Sequence, residues 1–137
     1  VPVVLIVAIG AFIGQALAVA DALSEAGVAV TVVDPRWVVP VAPTLVTLAA
    51  AHDLVITIED GIITGGIGSM IATAMSDAGV FTPIRHLAFP QIFPHHATRD
   101  ELLAEVGLDN AGCVQSAVAW VDELFPPAAS DEDQLEQ

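Results

Sequence analysis

Leu54-Val55-Ile56-Thr57-Ile58-Glu59-Asp60-Gly61 and, two residues later, Thr64-Gly65-Gly66-Ile67-Gly68-Ser69 decide how this chain folds. The first block begins as a short, almost wholly apolar run rich in β-branched residues. Such a run suits a strand buried on both faces. The spacing predicts a strand over Leu54–Ile58, closed by Glu59-Asp60-Gly61. The second block is a glycine cluster that opens a helix running to about Ala78, where Gly79 stops it. A buried strand that turns into a helix is the repeating unit of a parallel α/β sheet.

The same unit recurs to either side. Val3–Ile9 is a continuous apolar run ended by Gly10, and Phe12–Ala26 then reads as a helix stopped by Gly27. Val28–Val33 is a second buried strand, closed by Asp34-Pro35. A loop carrying Pro40 and Pro43 leads to a helix over about Thr44–Ala51. Beyond the deciding blocks, Ile84–Phe89 is a short strand and Pro90–Ala97 a loop. Thr98-Arg99-Asp100-Glu101 fits a capping box. The helix it opens ends near Gly107, and a last one covers about Asn110–Leu124. The alternation predicts an α/β three-layer sandwich with a mostly parallel sheet of four or five strands, covered on both faces. Residues 1–124 form that domain, and residues 125–137 an acidic, disordered tail. Ligand sites in such sheets gather at the carboxyl ends of strands. The loops to inspect are therefore Gly10–Gly14, Asp34–Pro43, Glu59–Ser69 and Phe89–Ala97.

Charge excludes some partners. Three Arg and no Lys stand against seventeen Asp and Glu, for a net charge of −14. Such a surface repels phosphate backbones and anionic lipid heads, which argues against nucleic acid and against a membrane. Val1–Ala20 has nearly the composition of a membrane span. Gly10 and Gly14 interrupt it, and no basic residue flanks it. A buried strand running into a buried helix has the same composition. The lone Cys113 sits in a helical pattern as a small core residue, and it is compatible with a reducing cytoplasm.

Several motifs have the residue types that chemistry needs. A strand, Gly10, a helix and Asp34 outline a dinucleotide site, but its second and third glycines would fall at Phe12 and Gln15. Gly65-Gly66-Ile67-Gly68-Ser69 allows close backbone approach but lacks the Gly-Lys-Ser/Thr ending of a P-loop. Tight packing of that helix start against the sheet or another subunit is the preferred reading over ligand contact. Its amides, with Ser69, remain available to a partner. His95 and His96 are adjacent, with no zinc-type spacing beside them, and suit a protein interface. His52 and His86 belong to no constellation. Arg36, at the end of the second strand, is expected to pair with Glu59 or Asp60.

Taken in order, these segments resemble one family. They are Val4–Ala11, Val30–Val41 with its Asp34-Pro35-Arg36-Trp37 block, Ile56–Gly61, Gly65–Ser69, Leu87–Ala97 and Arg99–Leu108. Together they look like the C-terminal domain of the 1-deoxy-D-xylulose-5-phosphate synthase family. Ala42 departs from the pattern, which often places Asp there as a helix cap. The resemblance implies a three-domain cytoplasmic homodimer that condenses pyruvate with glyceraldehyde 3-phosphate and releases carbon dioxide, feeding isoprenoid and thiamine synthesis. It implies thiamine diphosphate and magnesium, held by the two preceding domains and not by this one. No residue here is assigned to catalysis, cofactor or metal. Arg36, Glu59, Asp60, Gly65, Gly66, Gly68, Ser69, His95 and His96 are the expected contacts with the remaining domains. Two rivals stay open: the equivalent domain of a transketolase or 2-oxo-acid dehydrogenase component, and a stand-alone interaction module without catalysis.

Overall fold

The centre of the sheet is β1 (Val3–Ala8), whose residues from Val4 onward are fully buried, as its unbroken apolar sequence requires. The computed structural model describes residues 1–35, 40–62, 66–90 and 98–127. Helix α1 (Ile13–Glu25) carries the chain from β1 to β2 (Ala29–Val33). Helix α2 (Pro43–Ala50) leads to β3 (Leu54–Ile62), and α3 (Ile67–Asp77) to β4 (Ile84–Phe89). Two helices, α4 (Arg99–Glu105) and α5 (Asn110–Leu124), follow. The described strands form one four-stranded sheet in the order β2-β1-β3-β4, and every pairing is parallel.

Alternation along the strands sorts the core into two layers. Val4, Ile6, Ala8, Leu54, Ile56 and Ile58 pack with Ala16, Val19 and Leu23 of α1, Leu103 of α4, and Cys113, Ala117 and Val121 of α5. Leu5, Val7 and Val55 point the other way, against Leu45 and Ala49 of α2 and Ile71 and Met75 of α3. The three-layer α/β sandwich expected from the sequence is thus present. Val1–Ala20 is divided between strand and helix, and among the described residues no helix is long and apolar enough to cross a membrane. Cys113 is a core residue whose thiol is pushed up to about 11, first by burial and then by the nearby Asp109.

The helix ends follow the sequence signals. Gly27 and Gly79 adopt φ of 83° and 75° directly after α1 and α3, a left-handed geometry that costs other residues more. The Thr98 hydroxyl accepts the Glu101 amide at 3.2 Å, the forward half of the capping box. Asp109 caps α5 by accepting from the Gly112 amide at 2.9 Å. At Ala42, extended backbone with no side-chain bond precedes Pro43 at the start of α2.

One boundary differs. β3 does not stop at Ile58 but continues through Glu59-Asp60-Gly61 to Ile62, with a register irregularity against β4 between Ile58 and Ile62. Glu59 and Asp60 are therefore strand residues. Their polarity reads as a strand end because the contacts that satisfy them are distant in sequence.

Candidate functional site

The sheet's carboxyl end between β1 and β3 is the topological switch point. There α1 leaves to one face, while α2 and α3 pack on the other. The register of β3 and β4 sets Thr57 directly beside His86. Glu59, two residues on, points to the same face as Thr57 because side chains alternate along a strand. Above them lies the first turn of α3.

Glu59 is 1% exposed, an unusual place for a carboxylate. Its Oε2 accepts the Ile67 amide at 2.7 Å and its Oε1 the Gly68 amide at 2.9 Å. Gly66, at the N-cap, makes no side-chain capping bond, so a strand residue supplies the cap instead. The positive end of the helix dipole meets the carboxylate, and charge-assisted bonds of this kind are each worth about 1.5–3 kcal/mol. Beside Glu59, His86 Nδ1 lies 2.6 Å from Thr57 Oγ1, and Thr57 is fully buried. Burial lowers the His86 pKa; the Glu59 carboxylate raises it and Arg85 lowers it. The imidazole is therefore neutral at pH 7.

Gly68 is where this cluster meets the helix. A Cβ at that position would come within 2.5 Å of His86 Nδ1, 2.6 Å of Thr57 Oγ1 and 3.1 Å of Glu59 Oε1. The glycine lets the helix backbone settle onto three polar side chains. This corrects the expectation that the Gly68 amide is open to a partner: it is spent on Glu59, inside the domain. The packing alternative is the one the geometry supports at Gly68. Gly66 has φ −77° and ψ −176°, extended backbone open to any residue, and Ser69 is partly exposed in the first turn of α3.

Asp60 faces away from Glu59 and meets Arg99 Nη1 at 3.3 Å, each side chain about half exposed. The Arg99 guanidinium also lies 5.6 Å from the centre of the Phe12 ring. The pair ties the start of α4 to β3 and to the residue before α1. Arg36 lies outside the described residues, as do Gly65, His95, His96 and residues 128–137 of the expected acidic tail. Glu59 and Asp60 have the partners just named, within the described fold. A groove of about 560 Å³ runs along the outer side of α3, lined by Pro40, Val41, Ser69, Met70 and Thr73.

His52 and His86, which stand alone in the sequence, both have partners in the fold, contrary to the expectation that they belong to no constellation. His52 Nδ1 is 2.6 Å from the Leu48 carbonyl and Nε2 2.8 Å from Thr31 Oγ1, joining the end of α2 to β2. His86 was missed because its partners come from β3 and α3. The available signal was a Thr and a Glu at strand spacing, with a lone His in the next apolar run. Among the described residues no three His, Cys, Asp or Glu side chains gather as a metal site. The polar groups of this cluster are engaged with one another, so its chemistry is that of a helix anchor.

Comparison with known proteins gives a consistent picture. The family described as the transketolase C-terminal domain matches residues 2–113. The chain is 47% identical over 124 residues to 1-deoxy-D-xylulose-5-phosphate synthase of Corynebacterium diphtheriae, and 51% identical over the same length to that of Corynebacterium glutamicum. Each match takes in 90% of this chain and 20% of the relative. The chain therefore spans about one-fifth of the length of these relatives. A solved structure described as a split gene transketolase, inactive beta4 tetramer, superposes with a TM-score of 0.75 at 30% identity. It covers 85% of this chain and 38% of that one.

Proposed function

The chain belongs to the transketolase C-terminal domain family, and from that premise we propose that it is the non-catalytic C-terminal domain of a 1-deoxy-D-xylulose-5-phosphate synthase, serving assembly of the larger enzyme. The observation that carries this reading is the 51% identity over 90% of the chain to a synthase of which it matches only 20%. The 30% identity to the transketolase structure is lower, which favours the synthase over its relatives.

The whole enzyme would condense pyruvate with glyceraldehyde 3-phosphate and release carbon dioxide, as a cytoplasmic homodimer using thiamine diphosphate and magnesium. The residues described here do not fit that cofactor. Glu59, the buried carboxylate, is already taken up by the Ile67 and Gly68 amides, and no cluster of metal-ligating side chains accompanies it. The part of this domain is to present the carboxyl edge of the sheet, with Gly66, Ser69 and the α3 groove, to the rest of the enzyme.

Gly66→Val in the full-length enzyme tests this. The backbone at Gly66 is extended, so valine there carries no left-handed strain. As a poorer N-cap than glycine, valine is expected to cost the isolated chain no more than about 1 kcal/mol. The full-length variant is expected to lose dimer or activity. A full-length Gly66→Val enzyme with unchanged sedimentation and turnover would refute the assignment of this edge as the assembly surface.

A further inference from the structure

We propose that His86, Thr57 and Glu59 form a proton-sensitive latch on the start of α3, in which charging His86 draws the Glu59 carboxylate away from the Ile67 and Gly68 amides. The inference concerns this chain alone and does not depend on the assembly reading.

Three observations carry it. The groups converge on one point: His86 Nδ1, Thr57 Oγ1 and Glu59 Oε1 all lie within 3.1 Å of where a Gly68 Cβ would stand. The carboxylate is the cap that α3 uses, through bonds of 2.7 and 2.9 Å. Thr57 is fully buried and Glu59 1% exposed, while His86 is partly exposed beside them, so a proton can reach the imidazole and its charge then acts on a carboxylate held out of water.

Burial, the largest influence, lowers the His86 pKa, and the neighbouring charges act on top of it. Among the described residues, Glu59 of β3 is the group that favours a charge on His86, and Arg85 on its own strand opposes it. α2 and α3 pack on this face; α2 carries no ionisable side chain, and the only one on α3, Asp77, is its last residue. The positive end of the α3 dipole also opposes an imidazolium. At neutral pH the histidine is uncharged and Glu59 belongs to the helix. On acidification the imidazolium and the two amides compete for the same carboxylate. The amide bonds then lengthen and the first turn of α3 loosens. A rise in pH reverses this without any covalent change.

The experiment is an NMR titration of the 137-residue chain. The His86 ring carbon is followed beside the Ile67 and Gly68 amides. Below the His86 midpoint both amide protons are expected to move upfield and exchange faster with solvent, with one shared midpoint. His52, bonded to Leu48 and Thr31 instead, serves as the internal control. His86→Asn should abolish the amide response. If that variant does not fold, Glu59→Gln provides the second arm: without the negative charge, the His86 midpoint should fall. Amides that do not titrate with His86 in the wild type, or that keep their midpoint in His86→Asn, would overturn the latch. A His86 midpoint unmoved by Glu59→Gln would do the same.

Discussion

Gly68→Ala places one methyl group where three polar side chains already converge. The added Cβ would stand 2.5 Å from His86 Nδ1, 2.6 Å from Thr57 Oγ1 and 3.1 Å from Glu59 Oε1. None of these can retreat easily. Thr57 is short, β-branched and fully buried; His86 is bonded to it; Glu59 is held by two amides. Overpacking of this kind costs about 1–3 kcal/mol. Lifting the helix start also stretches a charge-assisted bond, worth about 1.5–3 kcal/mol if lost entirely. Against this, alanine's helix preference over glycine returns at most about 1 kcal/mol, and less in a first turn. The net expectation is a loss of roughly 2–3 kcal/mol, which for a chain of this length lowers Tm by roughly 7–10 °C. Thermal and urea melts followed by circular dichroism measure it. In a His86→Ala background the same substitution should cost less but still destabilise, because Thr57 Oγ1 stays 2.6 Å from the added Cβ. A Gly68→Ala chain that melts at or above the wild-type temperature would show that the helix start is not seated on this cluster.

Other expectations follow from the same geometry. Ala42→Asp restores a cap where the backbone is already extended and no side-chain bond is made, and should stabilise the chain by about 0.5–1 kcal/mol in a urea melt. Because the folded state lowers the pKa of His86 below 6.5, the unfolded chain takes up that proton first. Its contribution to stability is thus present above pH 6.5 and is lost as pH falls from there through the folded value; His86→Asn should flatten that part of the pH profile. Titration calorimetry of the chain with magnesium and thiamine diphosphate should show no saturable heat, and a micromolar Kd would refute placing the cofactor ligands elsewhere in the enzyme.

Much of the architecture is legible in the sequence because short-range physics controls it. The apolar run at Val3–Ala8 and the almost wholly apolar one at Leu54–Ile58 are buried from both sides, which demands helices on both faces. Gly27 and Gly79 end their helices because the left-handed turn after each excludes most other residues. Thr98 announces its own helix because cap and amide are three residues apart. The family resemblance was legible for the same reason, since it rests on the order of such segments.

The candidate site was less so. Glu59-Asp60-Gly61 reads locally as the end of a strand, yet β3 runs through it to Ile62. Gly65-Gly66-Ile67-Gly68-Ser69 reads as a glycine cluster opening a helix, with nothing local to tell one glycine from another. In the fold Gly66 is ordinary extended backbone, while Gly68 is the residue that cannot carry a side chain. His86, which has no neighbour in sequence to give it meaning, becomes part of a cluster through the pairing of β4 with β3. By itself, then, the sequence determined the strand–helix alternation, the burial of the sheet and the family, all set by periodicity and by bonds a few residues long. Only the tertiary structure decided that Gly68 has no room for a side chain, which carboxylate caps α3 and which histidine lies beneath it. Those facts depend on strand register and on a helix crossing over it, and no local pattern of residues encodes either.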